Sequence, residues 1–328
     1  MKKRPFGKTG LSVTPLCIGT SALGSFPAQY GYEVSTERAL ATMRRVFEGP
    51  INFIDTSNEY GNGGDSERRI GQALAEIGGL PEGFVLATKV DPIPGSSDFS
   101  GTRVKASVAE SLERLGLKRL QVVYLHDPEK MTFAEATAPG GAVEALVQMR
   151  KEGIIDHLGV AGGPIDLMLQ YLATGVFETV ISHNRYTLVD QSAEPLLNDA
   201  AQRGIAFVNA APYGGGMLVK GPDVVPKYCY HPVSAATLDR VRSMQRICVS
   251  YDVPFAAAAL QFSLRENRIT STIVGITEPE HFGKRCVRVD EHTIDMTLGT
   301  VLKYREDQER LRAAGVEDLI RAAVQRGA

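Results

Sequence analysis

Four side chains in the N-terminal half of this sequence can together move a proton: Asp55, Tyr60, Lys89 and His126. Each follows a short apolar run. Ile51–Ile54 leads into Asp55-Thr56-Ser57-Asn58-Glu59-Tyr60-Gly61, Phe84–Ala87 into Thr88-Lys89, and Val122–Leu125 into His126-Asp127-Pro128. A tyrosine hydroxyl ordinarily titrates at about 10, too high for efficient proton exchange at neutral pH, and an ammonium beside it stabilises the phenolate. Lys89 is that ammonium. A lysine at the end of an apolar strand is costly to bury alone, so Asp55, one strand away, is its counter-ion. Tyr60 is then the general acid–base, and His126 either donates to a substrate oxygen or tunes the tyrosine in the other direction. Taken singly, each residue has a bland role: a turn-capping Asp, a rim Tyr, a snorkelling Lys, a core His. Their convergence at consecutive strand ends argues for chemistry.

Convergence requires a fold that gathers strand ends at one mouth. Eight β-rich runs are bounded by Gly, Asp, Asn or Pro: Leu16–Ile18, Ile51–Ile54, Phe84–Ala87, Val122–Leu125, His157–Val160, Thr179–Ser182, Ile205–Val208 and Ser271–Val274. Between them apolar residues recur every three or four positions. Ile70, Leu74 and Ile77 follow Asp65 or Ser66 as N-cap; Val104, Val108, Leu112 and Leu115 stop at Gly116; Val143, Leu146 and Val147, followed by the basic Arg150, stop at Gly153. Strand and helix alternating eight times predicts a (β/α)8 barrel, whose active sites lie at the C-terminal ends of the strands. Residues between Pro5 and Pro15 read as an N-terminal hairpin. The stretch from Pro212 to Pro232 with helical segments 235–251 and 255–266 reads as an insertion over one rim, and 300–325 as an outer helix. No composition break divides the chain, so residues 1–328 are expected to form a single domain. The alternative, an open doubly wound sheet, lacks its glycine fingerprint, because Gly19 and Gly24 stand in Gly-Thr-Ser-Ala-Leu-Gly.

Composition narrows the classes. The 328 residues carry a net charge of −2, 43% are hydrophobic and 23% charged. That balance supports a folded core and gives no cationic surface for nucleic acid or anionic lipid. The cysteines Cys17, Cys229, Cys248 and Cys286 are scattered without a C-x-x-C, so no metal site or disulfide framework is expected. No apolar run approaches the ~18 residues of a membrane helix, and the basic start lacks a signal-peptide core, so the expectation is cytoplasmic.

The residues already quoted, with Ala87-Thr88-Lys89-Val90, Ser111-Leu112-Glu113-Arg114-Leu115-Gly116-Leu117 and Phe6-Gly7-Lys8-Thr9-Gly10-Leu11, resemble the aldo-keto reductase superfamily from about residue 4 to about residue 290. The resemblance implies a barrel closed below by the hairpin. It also implies a tetrad of Asp55, Tyr60, Lys89 and His126 carrying out nicotinamide-dependent carbonyl reduction or its reverse, without a Rossmann motif. The segment from Asn184 to Ala193 and the later Ala210-Ala211-Pro212-Tyr213-Gly214-Gly215-Gly216-Met217-Leu218 resemble the bacterial branch containing D-threo-aldose 1-dehydrogenase (L-fucose dehydrogenase) and pyridoxal 4-dehydrogenase.

The resemblance brings NAD or NADP against Gly19 and Thr20, Ala161 and Gly162, and His183. It continues along Pro212, Tyr213, Gly214, Gly215, Gly216, Met217 and Leu218, then to Gly275, Ile276, Thr277, Glu278 and Arg285. Three departures stand out: Ala161-Gly162 replaces a Ser-Asn pair, His183 a Gln, and Ala210 an aromatic. Glycines 214–216 let backbone N–H groups approach a pyrophosphate. Glu278 and Glu280 would repel a 2′-phosphate and accept from a free ribose hydroxyl, which favours NAD although Lys284 and Arg285 follow. Tyr30 and Arg185, with Tyr60 and His126, are expected to meet a small sugar or aldehyde; further candidates are Tyr186, Tyr228, Tyr230, His231 and the 91–99 loop. A homo-oligomer is compatible with this composition. Rival readings are a pyridoxal 4-dehydrogenase or general aldehyde and ketone reductase, a Schiff-base aldolase through Lys89, and a non-catalytic nicotinamide-binding subunit.

Overall fold

The computed structural model describes residues 1–27, 31–229, 231–250 and 253–277. An antiparallel hairpin, Arg4–Pro5 (β1) with Ser12–Val13 (β2), precedes seven barrel strands: Leu16–Gly19 (β3), Phe53–Asp55 (β4), Val85–Val90 (β5), Leu120–His126 (β6), Ile155–Gly162 (β7), Thr179–His183 (β8) and Ala206–Ala210 (β9). A two-residue ladder, Lys227–Tyr228 (β10) with His231–Pro232 (β11), intervenes before Ile269–Gly275 (β12). The barrel closes in the order β12-β3-β4-β5-β6-β7-β8-β9, and each pair is parallel. All eight expected runs are barrel strands.

Alternation along the strands sorts the residues. Cys17, Phe53, Val85, Ala87, Val122, Tyr124, Ala161, Ile181, Ala206 and Val208 fill the interior, while their neighbours face the helices. Phe6 and Val13 of the hairpin join that inner cluster and plug the bottom, with Phe6 edge-on to Phe53 at 5.2 Å between ring centres. Asn52 ties the hairpin down, accepting from Thr14 N–H at 2.8 Å and donating to the Ser12 carbonyl at 2.9 Å. Gly159, a weak strand former, is required inside β7 because a Cβ there would lie 2.3 Å from the Tyr124 ring.

Two local expectations change. The helix Asp65–Glu76 is capped by Gly64 at φ 86° rather than by Asp65 or Ser66. Ser66 is instead buried, and its hydroxyl donates to the Thr20 carbonyl at 2.9 Å. Of the two segments read as an insertion, Phe255–Leu264 is buried nearly all round and packs directly on β12, so it is a barrel helix. Its apolar sequence carries no helical periodicity to reveal that. Ala235–Ser250 packs on it from outside. The 300–325 segment lies outside the described residues. No single helix among the described residues is long and apolar enough to cross a membrane.

Candidate active site

The two-residue period that fills the barrel also aims Asp55, Lys89 and His126 inward at the top of β4, β5 and β6. Lys89 is 3% exposed, and its ammonium has three partners: Asp55 Oδ2 at 2.8 Å, the Thr56 carbonyl at 2.6 Å and the Tyr60 hydroxyl at 3.1 Å. Burial pushes the Asp55 carboxyl above the ordinary carboxylate range, with the Lys89 ammonium opposing that rise. Tyr60 stands on the turn after β4, where its carbonyl accepts from Ser66 N–H at 3.0 Å. Gly61, at φ 90°, lets this turn pack onto Gly24. A second network fixes the turn from behind: Arg114 donates to the Asn58 carbonyl at 3.0 Å and pairs with the buried Glu67 at 3.3 Å. The structure therefore brings the four expected acid–base residues together.

It adds one the sequence reading assigned only to a loop. Asp91, just past β5, is buried beneath His126, and its Oδ1 lies 2.5 Å from His126 Nδ1. The Ser57 hydroxyl and the Glu59 N–H reach Asp91 Oδ2. Burial disfavours the Asp91 carboxylate, yet His126 and the Ser57 hydroxyl hold it below the usual range. Burial likewise disfavours a His126 cation, but Asp91 and then Asp127 outweigh it and raise the imidazole.

Around the mouth, Asp127 (φ 42°), Asn184 (φ 60°) and Ala211 (φ 54°) each follow the last residue of β6, β8 and β9 in left-handed conformation. Such residues cost about 1–2 kcal/mol each and gather where a binding site dictates the backbone. Gly214, Gly215 and Gly216 follow at φ 58°, 71° and 106°. A Cβ on Gly214 would lie 2.4 Å from the Tyr228 ring, and the Tyr228 hydroxyl reaches Thr187 Oγ1 and the Asn184 carbonyl, both at 2.7 Å.

Of the other expected contacts, Gly19 and Ala161 line the inner face, while Gly162 lets the Pro128–Glu129 segment approach closely. Thr20 is fully buried and its hydroxyl donates to the Asp55 carbonyl at 3.0 Å, so it braces β4. His183 faces the mouth beside Asn184, and burial lowers its pKa. Pro212 and Tyr213 are buried, Met217 and Leu218 are core side chains, and only Gly215 at the loop tip is exposed. Gly275 is exposed, Ile276 is buried, and the Thr277 carbonyl accepts from Arg38 Nε at 2.9 Å. Arg185 sits at the rim and donates to the Gly163 carbonyl at 2.6 Å. Tyr186 turns away, stacked on Phe262 with its hydroxyl on Glu266. Tyr30, Tyr230, Glu278, Glu280, Lys284 and Arg285 lie outside the described residues. Two clusters, Glu59–Asp91–His126 and Asp127–Glu129–His183, are close enough to share an ion. Asp91 and His126 already satisfy each other, and Lys130 lies 3.3 Å from both Glu59 and Asp127.

Residues 15–285 match the model of the aldo/keto reductase family. L-galactose dehydrogenase of Arabidopsis thaliana is 30% identical over 88% of each chain. Pyridoxal 4-dehydrogenase of Microbacterium luteolum is 29% identical over 90% of this chain and 94% of its own. D-threo-aldose 1-dehydrogenase of a Pseudomonas species is 29% identical over 82% and 87%. Among solved structures, an aldo-keto reductase from Bacillus halodurans in its holo form superposes with a TM-score of 0.69 at 22% identity, covering 93% of this chain and 96% of that one.

Proposed function

This chain belongs to the aldo/keto reductase family, oxidoreductases working between CH–OH and carbonyl groups, and from that premise we propose that it is a nicotinamide-dependent aldose 1-dehydrogenase. Its substrate class is a sugar hemiacetal of the L-fucose or D-threo-aldose type, oxidised at C1 to a lactone. The observation that carries this reading is the Lys89 ammonium, shared between Asp55 at 2.8 Å and the Tyr60 hydroxyl at 3.1 Å. Two relatives named for dehydrogenation of an aldose or of galactose support the sugar class.

Tyr60, as phenolate, accepts the C1 hydroxyl proton. Lys89 stabilises the negative oxygen, and Asp55 keeps the ammonium in place with its charge matched. His126 bonds the substrate oxygen from the opposite side. In carbonyl reduction Tyr60 returns the proton. A nicotinamide held at the mouth would supply the hydride acceptor for oxidation at C1 and the hydride donor for the reverse.

The residues present fit such a cofactor. Gly215, exposed at the tip of a turn closed by Gly214 N–H on the Ala211 carbonyl and Gly216 N–H on the Tyr213 carbonyl, offers backbone that a pyrophosphate can approach closely. Asn184 Oδ1 is buried with no hydrogen-bond partner, an acceptor of the kind a carboxamide N–H₂ needs. It stands beside His183, where Ala161 and Gly162 offer no side-chain polar group. The adenosine ribose is assigned to Gly275–Thr277 and Glu278, and the Glu278 carboxylate favours NAD over NADP.

The test follows absorbance of the reduced nicotinamide with NAD and with NADP against L-fucose, D-arabinose, L-xylose, pyridoxal and a generic aldehyde. Lactone formation from an aldose with a higher kcat/KM for NAD is expected. Turnover of pyridoxal or aldehyde alone replaces the substrate class, cofactor binding without turnover points to a non-catalytic subunit, and a borohydride-trapped adduct on Lys89 points to an aldolase.

A further inference from the structure

Asp91 stands outside the acid–base set above, yet His126 depends on it. Three donors converge on its carboxylate: His126 Nδ1 at 2.5 Å on Oδ1, and the Ser57 hydroxyl and the Glu59 N–H, the latter at 3.1 Å, on Oδ2. Its side chain is entirely out of solvent. Its backbone is pinned on both sides, the N–H by the Ser107 hydroxyl at 3.1 Å and the carbonyl by Arg103 Nε at 3.2 Å. A buried carboxylate surrounded by donors remains an acceptor, so the imidazole must place a proton on Nδ1. The ring stands edge-on to Tyr60, 6.1 Å between centres, which leaves Nε2 as the nitrogen available to a reactant.

We propose that Asp91 is a positioning residue for the reaction: it fixes His126 with its proton on Nδ1 and sustains the cationic ring, so that Nε2–H donates to the substrate oxygen opposite Tyr60. This rests on the reading of Tyr60 as the proton carrier. A neutral ring bonded to Asp91 would present a lone pair at Nε2 and could not polarise a carbonyl. Donation to a carbonyl therefore belongs to the imidazolium alone.

The groups facing the ring come from four strands. They are Asp91 and Lys89 at the end of β5, Asp127 with Oδ1 3.6 Å from Nε2 just past β6, Asp55 at the end of β4 with Glu59 and Tyr60 on the turn after it, and His183 on β8. The carboxylates favour the cation, and Lys89 opposes it. Because the imidazole titrates above its ordinary value in the fold, donation persists below that raised point and is lost as pH rises through it. Removing the Asp91 charge moves the loss to lower pH.

The experiment combines ¹H–¹⁵N spectra of the histidine side chains across pH, His126 being assigned by comparison with His126→Gln, and the pH profile of kcat/KM for reduction of a generic aldehyde with NADH. In the native chain Nδ1 should stay protonated in both forms of the ring. In Asp91→Asn the His126 midpoint should fall by about one unit or more, and the alkaline loss of kcat/KM should move with it. A purely structural role would lower the rate and leave both midpoints unchanged, which overturns the proposal. The native spectrum decides independently of how well the variant folds: a neutral ring protonated at Nε2 contradicts the assignment. Native kcat/KM retained in Tyr60→Phe overturns the Tyr60 reading, and with it a role in the reaction, while normal native turnover with an unmoved midpoint in Asp91→Asn overturns the Asp91 role alone.

Discussion

Lys89 Nζ lies 3.1 Å from the Tyr60 hydroxyl and 4.6 Å from the centre of the Tyr60 ring. One ammonium thus serves both the ring face and the oxygen. Its other partners, Asp55 and the Thr56 carbonyl, use its remaining donors, so its position is fixed before any substrate arrives. A group held this way stabilises developing negative charge without reorganising.

Replacing Lys89 by Met should therefore cost both stability and activity. Asp55 would be left as an uncompensated buried carboxylate, a loss of about 3–5 kcal/mol by urea unfolding. Adding Asp55→Asn should recover most of that stability and none of the turnover. A Lys89→Met chain as stable as the native one would show that the pair is not ionised.

Much of the barrel was legible because its signal is local. Eight apolar runs between helix-period stretches needed no knowledge of packing, and Asp55, Tyr60, Lys89 and His126 stand next to those runs. Asp91 was missed because Val90-Asp91-Pro92 reads as a strand giving way to a loop, and its partner His126 is distant in sequence. Register held the clue: Lys89 is opposite Tyr124, so two residues further on Asp91 comes level with His126. Tyr186 misled for the opposite reason. Following a strand end marks it as a rim residue, whereas its stacking on Phe262 depends on a helix whose placement periodicity does not disclose.

Gly214→Ala should weaken NAD binding. The position has φ 58°, and the added Cβ would drive into the Tyr228 ring. Displacing Tyr228 releases its bonds to Thr187 and the Asn184 carbonyl, beside the expected carboxamide acceptor. A rise in Kd of about tenfold or more is expected by fluorescence titration, equivalent to about 1.4 kcal/mol. Unchanged affinity would move the pyrophosphate away from this loop.

Acid stability should depend on Glu266. Arg268 holds it at 2.8 and 2.7 Å, which lowers its carboxyl from 4.5 to about 2. A carboxyl depressed in the fold contributes its full share above the unfolded value of 4.5 and loses it as pH falls toward about 2. Glu266→Gln should make stability less pH-dependent in that window, measured as urea midpoints at pH 6 and at about pH 3.5. An unaltered slope would assign acid unfolding elsewhere.

Proton transfer through the Tyr60 hydroxyl is read out by Tyr60→Phe. The variant keeps the ring and removes only the hydroxyl. Turnover of L-fucose with NAD, followed at the reduced-nicotinamide absorbance, should fall by roughly 10² or more while cofactor affinity stays nearly unchanged. A kcat close to that of the native chain would show that another group carries the proton.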